Sequence, residues 1–411
     1  MAKKTIAQAG PASFQGKRVL VRVDFNVPQH EDLTISDDSR IRAALPTIKY
    51  LCNAGARVAL ISHLGRPKGP SEAYSLRPVA ARLSELIGQP VPCLPHCIGN
   101  DVSQYVASMI NGQVCVLENV RFHPEEEKND PEFARRLASN FDVYVNDAFG
   151  TAHRAHASTQ GVSQWLRPAL AGFLMEKELK ALAETLADPA RPFATVIGGA
   201  KVSSKIGVLE NLLTKVDVLV IGGAMAFSFL KAQGRQVGKS LVEDDRLEYC
   251  RQLEEKARSR GVKLVLPVDV VCAPEMKAGV PVTVASVDAM PADQMGLDLG
   301  PRTVQLIREA LKDARTVLWN GPLGVFEIKG FDGATYALID LMVELTKRGC
   351  QTIVGGGDSV AAIEAKKVSP DAFSHVSTGG GAALELLEGL DLPGVSCLDD
   401  AESVASTTGR P

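Results

Sequence analysis

Four times in its second half the chain runs a β-branched strand pattern straight into two or three glycines and then towards a helical pattern. The junctions fall at Gly198, Gly222, Gly355 and Gly379. This repetition constrains the fold more than any other feature, because strand, tight exit and helix make the βα unit of a parallel sheet. Glycines at the exit let backbone N–H groups approach an anion, and the helix N-terminus adds partial positive charge. One such junction also makes a plain turn. Four in one half imply a nucleotide or polyphosphate along the strand ends. Lys201 and Lys205, four apart, are expected on one face of the helix predicted over 202–213, near the same anion. For Lys205 a solvated helix lysine is the alternative.

The first half repeats the βα pattern with different exits. Strands are predicted over 19–23, with Arg22 interrupting the apolar run, and over 57–62, 114–117 and 141–145. They lead into Asp24 and Asn26, into His63, Gly65 and Arg66, into Arg121, and into the segment carrying His153, Arg154 and His156. Polar groups at strand exits of an α/β sheet face the crevice where ligands bind. Arg40 falls in the first turns of a helix predicted over 37–50, where the dipole favours acids instead. It points weakly to an anion, with a solvated arginine as the alternative. Guanidinium forks match phosphate and carboxylate oxygens, so a compact anion is expected. No H-E-x-x-H zinc signature occurs, and the histidines read as anion donors or packed side chains.

Residues 164–188 (QWLRPALAGFLMEKELKALAETLAD) carry apolar residues at helical spacing, with Pro168 suited to a first turn and Pro189 as a stop. A long helix between two βα halves suits a two-lobed enzyme. An ordinary helix inside one large domain is the plainer alternative. A length of 411 residues favours two domains. The formal charge of -3 gives no basic surface for nucleic acid. No apolar run in the sequence reaches the length of a membrane span. The eight cysteines form no C-x-x-C pair, which fits a reducing, cytoplasmic compartment. GRQVGKS at 234–240 is one residue short of the phosphate-loop motif G-x-x-x-x-G-K-[ST] and follows a helical run, so it is rejected. No dinucleotide fingerprint opens a βα unit, which lowers an oxidoreductase reading.

Eight stretches, in order and in both halves, resemble the phosphoglycerate kinase family: 18–28 (RVLVRVDFNVP), 62–67 (SHLGRP), 117–122 (LENVRF), 146–156 (NDAFGTAHRAH), 198–201 (GGAK), 319–327 (WNGPLGVFE), 355–359 (GGGDS) and 377–381 (STGGG). The resemblance implies two Rossmann-like α/β lobes with mainly parallel sheets in three αβα layers. Expected are a phosphoglycerate-binding domain over 1–164, an interdomain hinge helix over 165–188 and a nucleotide-binding domain over 189–390. Residues 391–411 would start by packing back on the first domain and end disordered. The implied enzyme is an ATP-dependent phosphotransferase with a carboxyl acceptor, of glycolysis and the Calvin cycle. It acts as a monomer on small molecules, with Mg2+ and ATP/ADP, by in-line transfer after hinge closure. The implied substrate residues are Asp24, Asn26, Arg40, His63, Leu64, Gly65, Arg66, Arg121 and Arg154. The implied nucleotide residues are Lys205, Gly222, Asn320, Glu327, Gly356, Gly357, Asp358 and Ser359, with Asp358 at the metal. Arg40, Lys201 and the loop of Gly379, Gly380 and Gly381 are implied to be catalytic. Ser359 stands where the family often has threonine, and either hydroxyl can donate to an oxygen. A catalytically inert nucleotide sensor is expected to lack Arg40, Lys201 or Asp358, and all three are present.

Overall fold

The computed structural model describes residues 2–401, with the side chain of Glu184 left out; the end of the C-terminal extension, 402–411, lies outside the described residues. The chain divides into two compact units, residues 1–179 with 391–411, and residues 180–390.

The first unit holds strands β1 (Arg18–Arg22), β2 (Arg57–Ile61), β3 (Val114–Val116), β4 (Val143–Asn146) and β5 (Ala169–Ala171). They form one parallel sheet in the order β3-β2-β1-β4-β5. Alternation along β1 sorts its side chains. Val19 and Val21 join a core with Ile41, Ile48 and Leu51 of the helix Ser39–Asn53 and Val79 and Leu83 of the helix Arg77–Ile87. Arg22 lies two residues after Leu20, in register with Ile61 and Asn146, and is buried.

The second unit holds β6 (Phe193–Ile197), β7 (Val218–Ile221), β8 (Lys263–Val265), β9 (Asp269–Ala273), β10 (Thr283–Ser286), β11 (Met295–Leu299), β12 (Thr316–Asn320), β13 (Gln351–Gly355) and β14 (His375–Val376). Six of them make a parallel sheet in the order β14-β13-β12-β6-β7-β8, and β10-β9-β11 make a small antiparallel sheet. Each parallel sheet reverses direction at its first strand, between β1 and β4 and between β6 and β12. Open α/β sheets bind ligands at the strand ends beside such a reversal.

The helix expected over 164–188 is corrected. Residues 169–171 pair in parallel with Tyr144–Asn146 as the buried strand β5, and helix begins only at Phe173. Its start is fixed from outside. Asp147 Oδ1 accepts the N–H of Leu174 at 2.8 Å and of Met175 at 3.2 Å, and Thr47 Oγ1 accepts that of Phe173 at 2.9 Å. Pro168 therefore precedes a strand, and tertiary pairing overrides an ambiguous Ala-Leu-Ala run. The helix winds as a π-segment over Lys180–Glu184, starting where the chain passes from one unit to the other. The segment after 390 belongs to the first unit: Asp399 exchanges hydrogen bonds with Ala169 at 2.9 and 3.0 Å, and Asn146 Nδ2 donates to the carbonyl of Gly394 at 2.8 Å.

Candidate functional sites at the two switch points

In the first unit the exits of β1, β2 and β3 are tied together before any ligand is considered. Ser62 Oγ accepts the N–H of Phe25 at 2.9 Å, and Asn26 Oδ1 accepts that of Gly65 at 2.8 Å. Gly65 turns with φ 63°, and Arg121 donates to its carbonyl at 2.7 Å. Asn119 holds the same turn by donating to Leu64 and Tyr74 carbonyls, while its Oδ1 accepts the N–H of Arg121. Glu118 fixes this exit by accepting from Ser75, Leu76 and its neighbour Asn119. Asp24, Asn26, His63, Leu64, Gly65 and Arg121 thus share one constellation. Arg40 joins it through an ion pair with Asp24 at 3.0 Å and is largely exposed. Arg66 is exposed and Arg154 half-buried, with Arg154 Nε donating to His153 Nε2 at 3.3 Å.

A buried layer lies with this cluster. Arg22 Nε donates to Ser158 Oγ at 2.8 Å, Nη1 to the Val23 carbonyl, and Nη2 to His63 Nδ1 at 3.2 Å. Glu126, fully buried, accepts from Ser158 Oγ at 2.6 Å and Ser158 N–H at 2.9 Å. Sequence reading missed Arg22, Ser158 and Glu126 as site residues. The signal was present: an arginine inside a strand of valines and leucine has to be buried with its donors satisfied.

These cations act on the histidines. Burial, then Arg22, Arg121, Arg154 and Arg40, hold His63 well below its ordinary pKa. Burial, then Arg121, Arg22, Arg154 and His153, bring His156 down to about 4. Below about 6.5 the unfolded chain binds protons that the folded chain refuses, so stability is lost as pH falls from there towards 4. His156 contributes to that loss, by an amount that solvent screening of the half-buried ring reduces. Thermal melts of His156→Gln between pH 7.5 and pH 5 are expected to show a shallower decline than the parent, and an equal slope would refute this.

The second unit presents different chemistry. The helices Gly357–Ala365 and Gly380–Leu387 start with Gly356 and Gly379 as caps, and neither has a side-chain cap bond. The first N–H groups of a helix have no intrahelical acceptor, so both starts suit an anion. Lys205 Nζ donates to Asn320 Oδ1; burial lowers its pKa, against the pull of Asp358 and Glu388. Asn320 Nδ2 is buried, near Gly356, and has no hydrogen-bond partner. Lys201, Glu327 and Asp358 are exposed. Lys201 and Lys205 do not share a helix face: Lys201 precedes the 3-10 turn Ser203–Lys205, and the α-helix starts at Ile206. Within that turn the N–H and hydroxyl of Ser203 donate to Glu243.

The glycine junctions are not alike. A Cβ on Gly198 would lie 2.1 Å from the Pro322 carbonyl oxygen, and one on Gly222 would lie 2.4 Å from Leu323. Those two glycines serve close packing against the segment after β12, Gly198 from the exit of β6 and Gly222 from the exit of β7. A Cβ on Gly357 or Gly380 would meet nothing within 4 Å. Ser359 is buried and its Oγ accepts the Gly321 N–H at 2.7 Å, which ties β13's exit to β12's.

Doubly wound sheets with an arginine-rich cluster in one unit and uncapped glycine helix starts in the other define the class of a two-unit kinase. A profile of the phosphoglycerate kinase family matches residues 10–390. The chain is 59% identical over 401 residues to the phosphoglycerate kinase of Thermosynechococcus vestitus, covering 98% of this chain and 100% of the relative. It is 56% identical over 399 residues to a cytosolic phosphoglycerate kinase of Triticum aestivum, covering 97% and 99%. The solved phosphoglycerate kinase of Coxiella burnetii superposes with a TM-score of 0.87 at 43% identity, covering 93% and 96%. The chain belongs to the phosphoglycerate kinase family, and its reaction is the family's reversible phosphoryl transfer, ATP + 3-phospho-D-glycerate = ADP + 1,3-bisphosphoglycerate.

Proposed function

We propose that the first unit binds 3-phospho-D-glycerate and the second binds the nucleotide, with direct in-line transfer once the units close on their ligands. The contrast between the two strand-end sites supports this assignment. Guanidinium forks suit a small anion with phosphate and carboxylate ends. Arg40, Arg66, Arg121 and Arg154 would bind it, with Asp24, Asn26, His63 and the Leu64–Gly65 turn shaping the site. Uncapped glycine turns with two lysines suit a polyphosphate. Lys205, Asn320, Gly356, Gly357 and Asp358 would hold the nucleotide, with Glu327 at its edge. The orphan Asn320 Nδ2 is a donor that a phosphate oxygen would satisfy.

The attacking group is a carboxylate, which needs no strong base. Catalysis then consists of positioning two anions and stabilising charge on the moving phosphoryl group. Arg40, Lys201 and the amides of Gly379, Gly380 and Gly381 carry that task. Among the described residues no group of three or more His, Cys, Asp or Glu could hold a metal. Mg2+ binds through one or two carboxylates, phosphates and water, so the exposed Asp358 at a helix start fits it. When bound, Mg2+ would neutralise phosphate charge. The protein is expected to work as a cytoplasmic monomer. All eight cysteines are unpaired, which fits a reducing compartment, and no helix among the described residues is long and apolar enough to cross a membrane.

A coupled assay with 3-phosphoglycerate, ATP, Mg2+ and an NADH-consuming dehydrogenase tests the reading. Chelation should abolish turnover and added Mg2+ restore it. Arg66→Ala should raise KM for phosphoglycerate by roughly ten- to a hundredfold, the loss of a charged hydrogen bond, with KM for ATP unchanged. A rise confined to ATP would reverse the assignment of the units.

A further inference from the structure

We propose that Glu126, Ser158 and Arg22 form a buried relay that holds His63 as a neutral donor, with its proton on Nε2, for the phosphoglycerate anion. The inference rests on the assignment of the first unit to that substrate. Its core is the polarity of one contact. Arginine has donors only, so in the 3.2 Å pair of Arg22 Nη2 with His63 Nδ1 the histidine must accept. A neutral ring that accepts at Nδ1 carries its proton on Nε2. The other tautomer would bring two N–H groups together in a buried place, where an unpaired donor is expensive.

Each further link keeps Arg22 from turning away. Its Nη1 donates to the Val23 carbonyl and its Nε to Ser158 Oγ at 2.8 Å. The Ser158 hydroxyl then has its own proton free to donate to Glu126 Oε1 at 2.6 Å, and Glu126 Oε2 takes the Ser158 N–H at 2.9 Å. All four side chains are at least nine-tenths buried. The carboxylate partly balances a region holding Arg22, Arg121 and Arg154. The functional gain is specific. A histidine free to choose its tautomer could present a lone pair to the anion and repel it. With Nδ1 occupied, only the N–H is left to offer, and it needs no proton uptake when the substrate binds. Glu126, Ser158 and Arg22 are positioning residues, since they act through His63.

The test uses the full chain with 15N-labelled histidine. His63→Gln identifies the His63 ring signals. The parent is expected to show one protonated ring nitrogen, Nε2, and one accepting nitrogen, Nδ1, with the Nε2–H signal shifting on addition of 3-phosphoglycerate. Ser158→Ala is expected to broaden or mix the His63 tautomers and to raise KM for phosphoglycerate about tenfold. KM for ATP and the melting temperature of the variant's second unit should stay unchanged. Arg22→Gln, whose amide still offers an N–H to Nδ1, should keep more of the parent tautomer than Arg22→Ala. A parent ring with its proton on Nδ1, or on both nitrogens, overturns the relay. An Nε2–H ring that ignores 3-phosphoglycerate, with His63→Gln leaving that KM unchanged, overturns its use for this substrate. Loss of KM discrimination for Arg66→Ala, in contrast, would signal failure of the site assignment itself.

Discussion

Arg40→Ala is expected to lower kcat by about a thousandfold, with a melting temperature near that of the parent. Arg40 is the second residue of the helix Ser39–Asn53, and its ion pair with Asp24 at 3.0 Å is solvent-exposed on the arginine side. Exposed pairs of this kind contribute about 0–1 kcal/mol to stability, so the fold does not depend on it. A cation placed among acids' preferred positions at a helix start, with little structural work, is available for charge that develops during transfer. Asp24 accepts from Nη1, and the proposed role gives the remaining donors of the guanidinium to the phosphoryl group. Losing such a donor removes stabilisation present only in the transition state, so kcat falls more than either KM rises. Arg40→Lys should recover part of the rate, because a point charge replaces some of the fork's effect. Steady-state kinetics in the coupled assay, with thermal melts of the same preparations, decide it. A near-parental kcat for Arg40→Ala would remove Arg40 from the chemistry.

Much of this architecture was legible in the sequence, and its omissions have physical causes. The parallel strands were readable because β-branched runs such as Phe193–Ile197 and Gln351–Gly355 end in glycine or polar exits. The antiparallel sheet β10-β9-β11 was not. Its strands begin or break at Asp269, Gly296 and Asp298, and β10 starts on the exposed Thr283 and Val284, so no continuous apolar run marks them. Residues 169–171 read as helix because Ala-Leu-Ala carries no decisive period, and the pairing with β4 decided them. In the first unit the strand-exit groups proposed to meet the ligand were readable as polar exits, whereas the buried hydrogen bonds of Arg22, Ser158 and Glu126 were not. Ser158 and Glu126 lie 136 and 104 residues from Arg22, and nothing local marks their partnership. In the second unit the glycine signal was too generous. Glycine records that no side chain fits, without saying whether a ligand or the protein's own backbone occupies the space.

That ambiguity yields opposite expectations for two glycines that look alike in sequence. Gly198→Ala should destabilise the second unit by about 3 kcal/mol or more. The added methyl would lie 2.1 Å from the Pro322 carbonyl oxygen and 2.6 Å from that of Gly321, and these are backbone atoms that cannot rotate aside. The neighbouring hydrogen bonds Gly198 N–H to the Asn320 carbonyl at 3.0 Å and Gly199 N–H to the Pro322 carbonyl at 3.0 Å would be forced open together. Trp319 would feel the shift, since its fully buried indole donates to the Gly321 carbonyl at 2.7 Å. Its fluorescence, read in a Trp165→Phe background, therefore reports the unit's unfolding. Gly357→Ala should behave in the reverse way. Its φ is not in the left-handed region and its Cβ would meet nothing within 4 Å, so the fold should accept it, with a melting temperature close to that of the parent. The methyl would instead stand at the start of the helix Gly357–Ala365, where the nucleotide's phosphates are proposed to approach the backbone. KM for ATP should rise about tenfold or more, from the loss of close hydrogen bonds to a charged ligand, while KM for phosphoglycerate holds. Melting curves followed by tryptophan fluorescence, beside initial rates at varied ATP, separate the two roles. A stable Gly198→Ala enzyme with only ATP binding impaired would return Gly198 to the ligand site. A Gly357→Ala enzyme with an unchanged KM for ATP would take the phosphates away from that helix start.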